Sequence, residues 1–127
     1  MSALLDEVIN HAKQVRLSYE QYRKNTKYPK NLMGLCAKAS YALFDRLKHY
    51  NIPCLFCGNS GHAFVVVNDH IIDITATQFG IKDKVFVKPI TEVTEPFWKL
   101  EYTFKTYPEI YDYFVNSSWP NNQRPNI

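Results

Sequence analysis

His62-Ala63-Phe64-Val65-Val66-Val67-Asn68-Asp69-His70-Ile71-Ile72-Asp73-Ile74-Thr75 is the stretch that decides the fold. Two β-branched runs flank an Asn-Asp pair, and both Asn and Asp tolerate the left-handed backbone that a two-residue hairpin turn requires. The pattern predicts strands over 62–67 and 70–75, closed by Asn68-Asp69. Such a turn sets the register: Val67 opposite His70, Phe64 opposite Asp73, His62 opposite Thr75. Directly opposed residues share a face, as do residues two apart on one strand. His62, Phe64, Asp73 and Thr75 are therefore expected on one side, with His62 and Asp73 as diagonal neighbours. A carboxylate in Ile71-Ile72-Asp73-Ile74 is costly unless paired. An imidazole on the same face is a ready partner, and backbone amides are the structural alternative.

Working outward, Pro53–Cys57 reads as a short strand before the hairpin, and Lys84–Ile90 and Lys99–Lys105 as strands after it. In the last of these, Leu100, Tyr102 and Phe104 alternate with charged residues or Thr. Upstream, Leu5, Val8, Ala12, Val15, Tyr19 and Tyr22 recur at spacings of three and four, which predicts an amphipathic helix over 3–24 with Ser2 as its cap. A second helix is expected from Leu32 or Leu35 to Tyr50, burying Ala39, Leu43, Leu47 and Tyr50 and ending at Asn51 before Pro53. A last short helix starts at Pro108, capped by Thr106 or Tyr107, with Ile110 and Phe114 inward. Two helices, a run of antiparallel strands and a closing helix make an α+β domain. A single domain over 1–120 is expected, with 121–127 as a frayed polar tail.

At 127 residues the chain can bury roughly two thirds of its unfolded surface, enough for a core without staples. Hydrophobic residues are 46% and charged residues 21%, which excludes a disordered protein, and the 15% aromatic share predicts an aromatic-rich core. The net charge of +3 is too small for a dedicated nucleic-acid binder. Its local excess, Arg23, Lys24, Lys27 and Lys30, reads first as a solvated loop. No apolar run is long enough to span a bilayer, and the MSALLDEV start lacks the basic region of an export signal, so a cytoplasmic protein without membrane partner is expected.

Three cysteines in that setting are not expected to form disulfides. Cys54-Leu-Phe-Cys57 has C-x-x-C spacing, but no second ligand pair matches it, and strand positions three apart point to opposite faces. These two read as structural thiols; a metal or redox site is the alternative, and neither metal nor other cofactor is expected. Cys36, in Gly34-Leu35-Cys36-Ala37, opens the second helix, where the macrodipole and free amides favour a thiolate. Buried filler is the other reading of that position. His62 opens its strand at the rim of the sheet. His11 reads as exposed or boundary, His49 suits its helix C-terminus, and His70 sits beside the turn.

A thiol at a helix start, a histidine on a strand and a carboxylate to orient it compose a Cys-His-Asp nucleophilic set. Gly34-Leu35-Cys36 heading a helix, His62-Ala63-Phe64-Val65 on a strand, and Ile72-Asp73-Ile74-Thr75 with Gln78 beyond resemble the transglutaminase-like branch of the papain-like cysteine protease superfamily. The resemblance spans roughly residues 32 to 79. It implies a minimal papain-like core, with Cys36 as nucleophile, His62 as base and Asp73 as orienting carboxylate. The Gln and Trp that animal transglutaminases set around their cysteine are Leu35 and Ala37 here, and there is no calcium loop.

The expected activity is that of a thiol hydrolase or acyl-transferase acting on a protein, a peptide or a small amide through a thioester on Cys36. The Cys36 amide and the Asn31 side chain are candidate oxyanion donors, and Phe64, Thr75 and Gln78 are candidates for substrate binding. The alternative is a non-catalytic binding or inhibitor protein of the same fold, using the basic stretch and exposed aromatics against a macromolecule.

Overall fold

The computed structural model describes residues 3–24 and 34–126. The basic side chains from Arg23 to Lys30, Ser2 and Asn31 fall outside what it describes. Helix α1 (Ala3–Lys24) and helix α2 (Cys36–His49) precede strands β1 (Leu55–Asn59), β2 (His62–Val67), β3 (His70–Asp73), β4 (Phe86–Pro89) and β5 (Tyr102–Phe104). Helix α3 (Tyr107–Val115) follows. The strands form one antiparallel sheet in the order β4-β3-β2-β1-β5. The fold is α+β, with α1 and α2 packed on the sheet.

The hairpin has the expected register, with Val67 opposite His70 and Val65 opposite Ile72. Asn68 and Asp69 take positive φ of 49° and 60°, the backbone a two-residue turn needs. Strand β3 ends at Asp73, two residues short of the expectation, so Thr75 does not pair with His62. Thr75 instead opens a 3-10 turn over Ala76–Phe79, because its amide and hydroxyl are drawn to the Asp73 carboxylate rather than to a partner strand. Strand β1 lies two residues later than Pro53–Cys57, since Pro53 cannot donate to a ladder. The outer strands are shorter than expected, β4 giving way to a 3-10 turn at Ile90–Glu92, and a second 3-10 turn at Pro96–Trp98 precedes β5.

All six residues of β2 are buried because both sheet faces are covered. On one face Ala63, Val65, Val67, Ile72, Ile74 and Phe56 meet Leu5, Val8, Ala12 and Val15 of α1 and Ala39, Leu43, Phe44 and Leu47 of α2. On the other, Cys57, Phe64, Val66 and Ile71 meet Phe86 of β4 and Ala76 and Trp98 of the 3-10 turns. Burial of this kind stabilises by about 25 cal/mol per Å² of apolar surface removed from water. Tyr22 and Tyr50, expected inward, are 54% and 55% exposed, each at the C-terminal end of its helix. His11, read as exposed or boundary, is buried; Arg46 Nε donates to its Nδ1 at 2.8 Å, tying α2 to α1.

Helix α3 starts with a complete capping box. Thr106 accepts from the Glu109 amide, and the Glu109 carboxylate accepts from the Thr106 amide. Ile110 and Phe114 point inward as expected. In the tail, Asn121–Gln123 form a 3-10 turn, and Arg124 donates to the carbonyls of Trp119 and Ser117. Among the described residues, no helix is long and apolar enough to cross a membrane.

Candidate functional site

The Asp73 carboxylate organises the site. It is fully buried and accepts from four donors: His62 Nε2 at 2.6 Å and Trp98 Nε1 at 2.7 Å on Oδ2, the Thr75 amide at 2.8 Å and the Thr75 hydroxyl at 3.2 Å on Oδ1. Burial alone would raise its pKa, but the charge of His62, the bonds from His62 and Trp98 and the Thr75 amide outweigh that effect. They hold the carboxyl below its usual range. The His62 ring is buried as well, which by itself would favour the neutral form. The Asp73 charge and hydrogen bond, followed by interactions with the Cys36 thiol, raise its pKa to about 10. These neighbours favour the charged form of the ring.

Helix α2 brings Cys36 to this ring. Gly34, at a φ of 84°, turns the chain into Leu35, and Cys36 is the first helical residue. No side chain caps the helix, and its geometry leaves the Cys36, Ala37 and Lys38 amides without intrahelical acceptors. One turn on, the Ser40 hydroxyl donates to the Ala63 carbonyl at 2.9 Å, a buried bond that pins the start of α2 beside the start of β2. With Nε2 committed to Asp73, Nδ1 is the His62 nitrogen left over. It is buried without a formed hydrogen bond, while the ring still interacts with the Cys36 thiol.

His62, Asp73 and Cys36 are therefore together, although His62 projects to the face of the sheet opposite the helices. His62 is the first residue of β2, at the strand end beside which Ser40 pins the start of α2. Phe64 and Thr75 are fully buried. The Phe64 ring lies 5.8 Å from the His62 ring and forms its floor, and Thr75 holds Asp73. Gln78 lies in the turn after Thr75, its Nε2 buried with no hydrogen-bond partner. Cys36 is only 3% exposed, more enclosed than a helix start at a cleft rim implies.

Sequence reasoning missed Trp98, Phe79, Phe97 and Tyr102. Trp98 is the second donor to Asp73 Oδ2. Phe79 meets the His62 ring edge-on at 4.8 Å and stacks on Phe97 at 4.1 Å, shielding the imidazole. A buried Trp needs an acceptor for its N–H, and that was the one available signal; nothing local in sequence points it at Asp73.

Cys54 and Cys57 lie in the two different core layers, on opposite sides of the sheet. Burial pushes their thiols up to about 11 and about 12. Cys54 donates to the Phe44 carbonyl and Cys57 to the Thr103 hydroxyl. Among the described residues, no group of three His, Cys, Asp or Glu side chains could hold a metal ion. No family model, curated protein or solved structure matches the chain.

Proposed function

We propose that the protein is a cysteine-dependent hydrolase or acyl-transferase of the transglutaminase-like, papain-like kind, acting on an amide or peptide bond. One observation carries this reading. His62 is held by Asp73 on Nε2 at 2.6 Å, its Nδ1 has no formed hydrogen bond, and the ring interacts with the Cys36 thiol. In the reaction, the Cys36 thiolate attacks the carbonyl carbon, the C–S bond forms, and the carbonyl π pair moves to oxygen. Collapse breaks the C–N bond, and the leaving amine takes the proton from His62 Nδ1, which remains held by Asp73. Water or an acceptor amine then attacks the thioester, gives its proton to Nδ1 and restores the thiolate.

The test is alkylation with iodoacetamide across pH, read by mass spectrometry at each cysteine. Cys36 should be labelled readily at pH 6 to 7, where an unassisted thiol is almost wholly protonated and reacts slowly. Cys54 and Cys57 should remain unlabelled in the folded protein. A Cys36 that follows the pH dependence of an unassisted thiol would return the chain to the binding-protein reading.

A further inference from the structure

Tyr102 of β5 carries a buried hydroxyl with no formed hydrogen bond, although it interacts with the Tyr113 side chain. Its ring is firmly placed, stacked on Phe104 at 4.9 Å and on Phe56 at 6.2 Å, and tilted against Tyr113 at 4.3 Å. It packs against the core layer to which Cys36 belongs. Opposite Tyr102 in the ladder stands Gly58, and a Cβ there would lie 2.7 Å from the Tyr102 hydroxyl and 2.2 Å from the His62 carbonyl oxygen. Glycine at 58 thus lets the hydroxyl settle against the strand pair at the His62 end of the sheet. Burial, with the neighbouring Tyr113, Cys36 and Cys57, raises the phenol pKa, so the group stays a neutral donor.

A buried donor without a formed hydrogen bond is costly, and such groups persist where an acceptor arrives with a ligand. We propose that the Tyr102 hydroxyl is a donor of the oxyanion hole, acting with the Cys36 amide on the oxygen of an acyl group being attacked by Cys36. This rests on the reading of Cys36 as nucleophile. The hydroxyl bond forms only once the carbonyl π pair has moved to oxygen, so it favours the tetrahedral species over the bound carbonyl.

Two reagents separate this role from any effect on the thiol itself. With p-nitrophenyl acetate, the thiolate attacks the carbonyl, an oxyanion forms, and p-nitrophenolate leaves with the C–O bonding pair, giving an acetyl thioester. With iodoacetamide, the thiolate displaces iodide at a methylene carbon and no oxyanion forms. Tyr102→Phe in the full chain should slow acetylation of Cys36 by about 10²-fold. Its alkylation rate should not change, and its melting temperature should be equal or higher, because only a hydroxyl without a formed hydrogen bond is lost.

Unchanged acetylation in Tyr102→Phe would overturn the proposal and leave the nucleophile reading standing. An equal fall in both reactions would also overturn it, placing the hydroxyl's effect on the thiol. A wild-type Cys36 that resists both reagents would sink the nucleophile reading and the proposal with it.

Discussion

The start of α2 and strand β1 each bury cysteine, and the two regions treat it differently. Cys36, Cys54 and Cys57 are all at most 5% exposed, so burial does not distinguish them. Cys54 and Cys57 meet a backbone carbonyl and a hydroxyl, neutral partners that leave desolvation in control and push both thiols up. Cys36 meets an imidazole whose charged form Asp73 favours. What a buried thiol can do is set by the charge of its neighbour, and that neighbour is set two steps away, by the four donors on one carboxylate.

Asp73→Asn should give the largest effect. All four partners of Asp73 donate, so an amide NH₂ would face donors on one side whichever way it turned. We expect a loss of about 3 kcal/mol in chemical denaturation. Alkylation of Cys36 should slow by about 10²-fold at pH 6, because His62 loses the charge that keeps it protonated. A variant with wild-type stability and labelling would remove Asp73 from the site, and Cys36 would then resemble the β1 thiols.

The pH dependence of melting tests the same pair. His62 has a raised pKa, so its contribution is complete below its unfolded value of about 6.5 and is lost as pH rises through the folded value. Asp73 has a lowered pKa, so its contribution is complete above about 3.9 and is lost as pH falls through the folded value. Their joint contribution should be greatest between about pH 4 and 6.5. The alkaline decline should weaken in Asp73→Asn; an identical profile in both proteins would contradict the pairing.

The smallest effect is expected of Trp98→Phe, which keeps an aromatic ring near Phe86 and Phe97 but removes one donor from Asp73. Stability should fall by about 1–2 kcal/mol in urea unfolding, with less than tenfold change in Cys36 labelling. A loss as large as that of Asp73→Asn would make Trp98, rather than His62, the main support of the carboxylate.

Much of this was legible in sequence where the signal is local. The β-branched run His62–Val67 and the Asn68-Asp69 turn set a hairpin register that puts His62 and Asp73 on one face, and Thr106 or Tyr107 before Pro108 marked the start of α3. Strand ends were less legible. Thr75 reads as β-forming, yet the Asp73 side chain two residues before it takes its amide, a competition that propensity does not register.

By itself the sequence determined the α+β order, the two amphipathic helices, the hairpin and the three candidate residues. Each depends on periodicity or turn chemistry within a few neighbours. The tertiary structure alone decided that Cys36 meets His62, that Trp98 reaches across 25 residues to Asp73, and that Tyr102 lies over Gly58. The physical reason is that these meetings bring together side chains from separate elements where layers of the fold meet at the sheet. Where layers converge depends on packing and on single bonds such as Ser40 to Ala63, which join residues with no periodic relation in the chain.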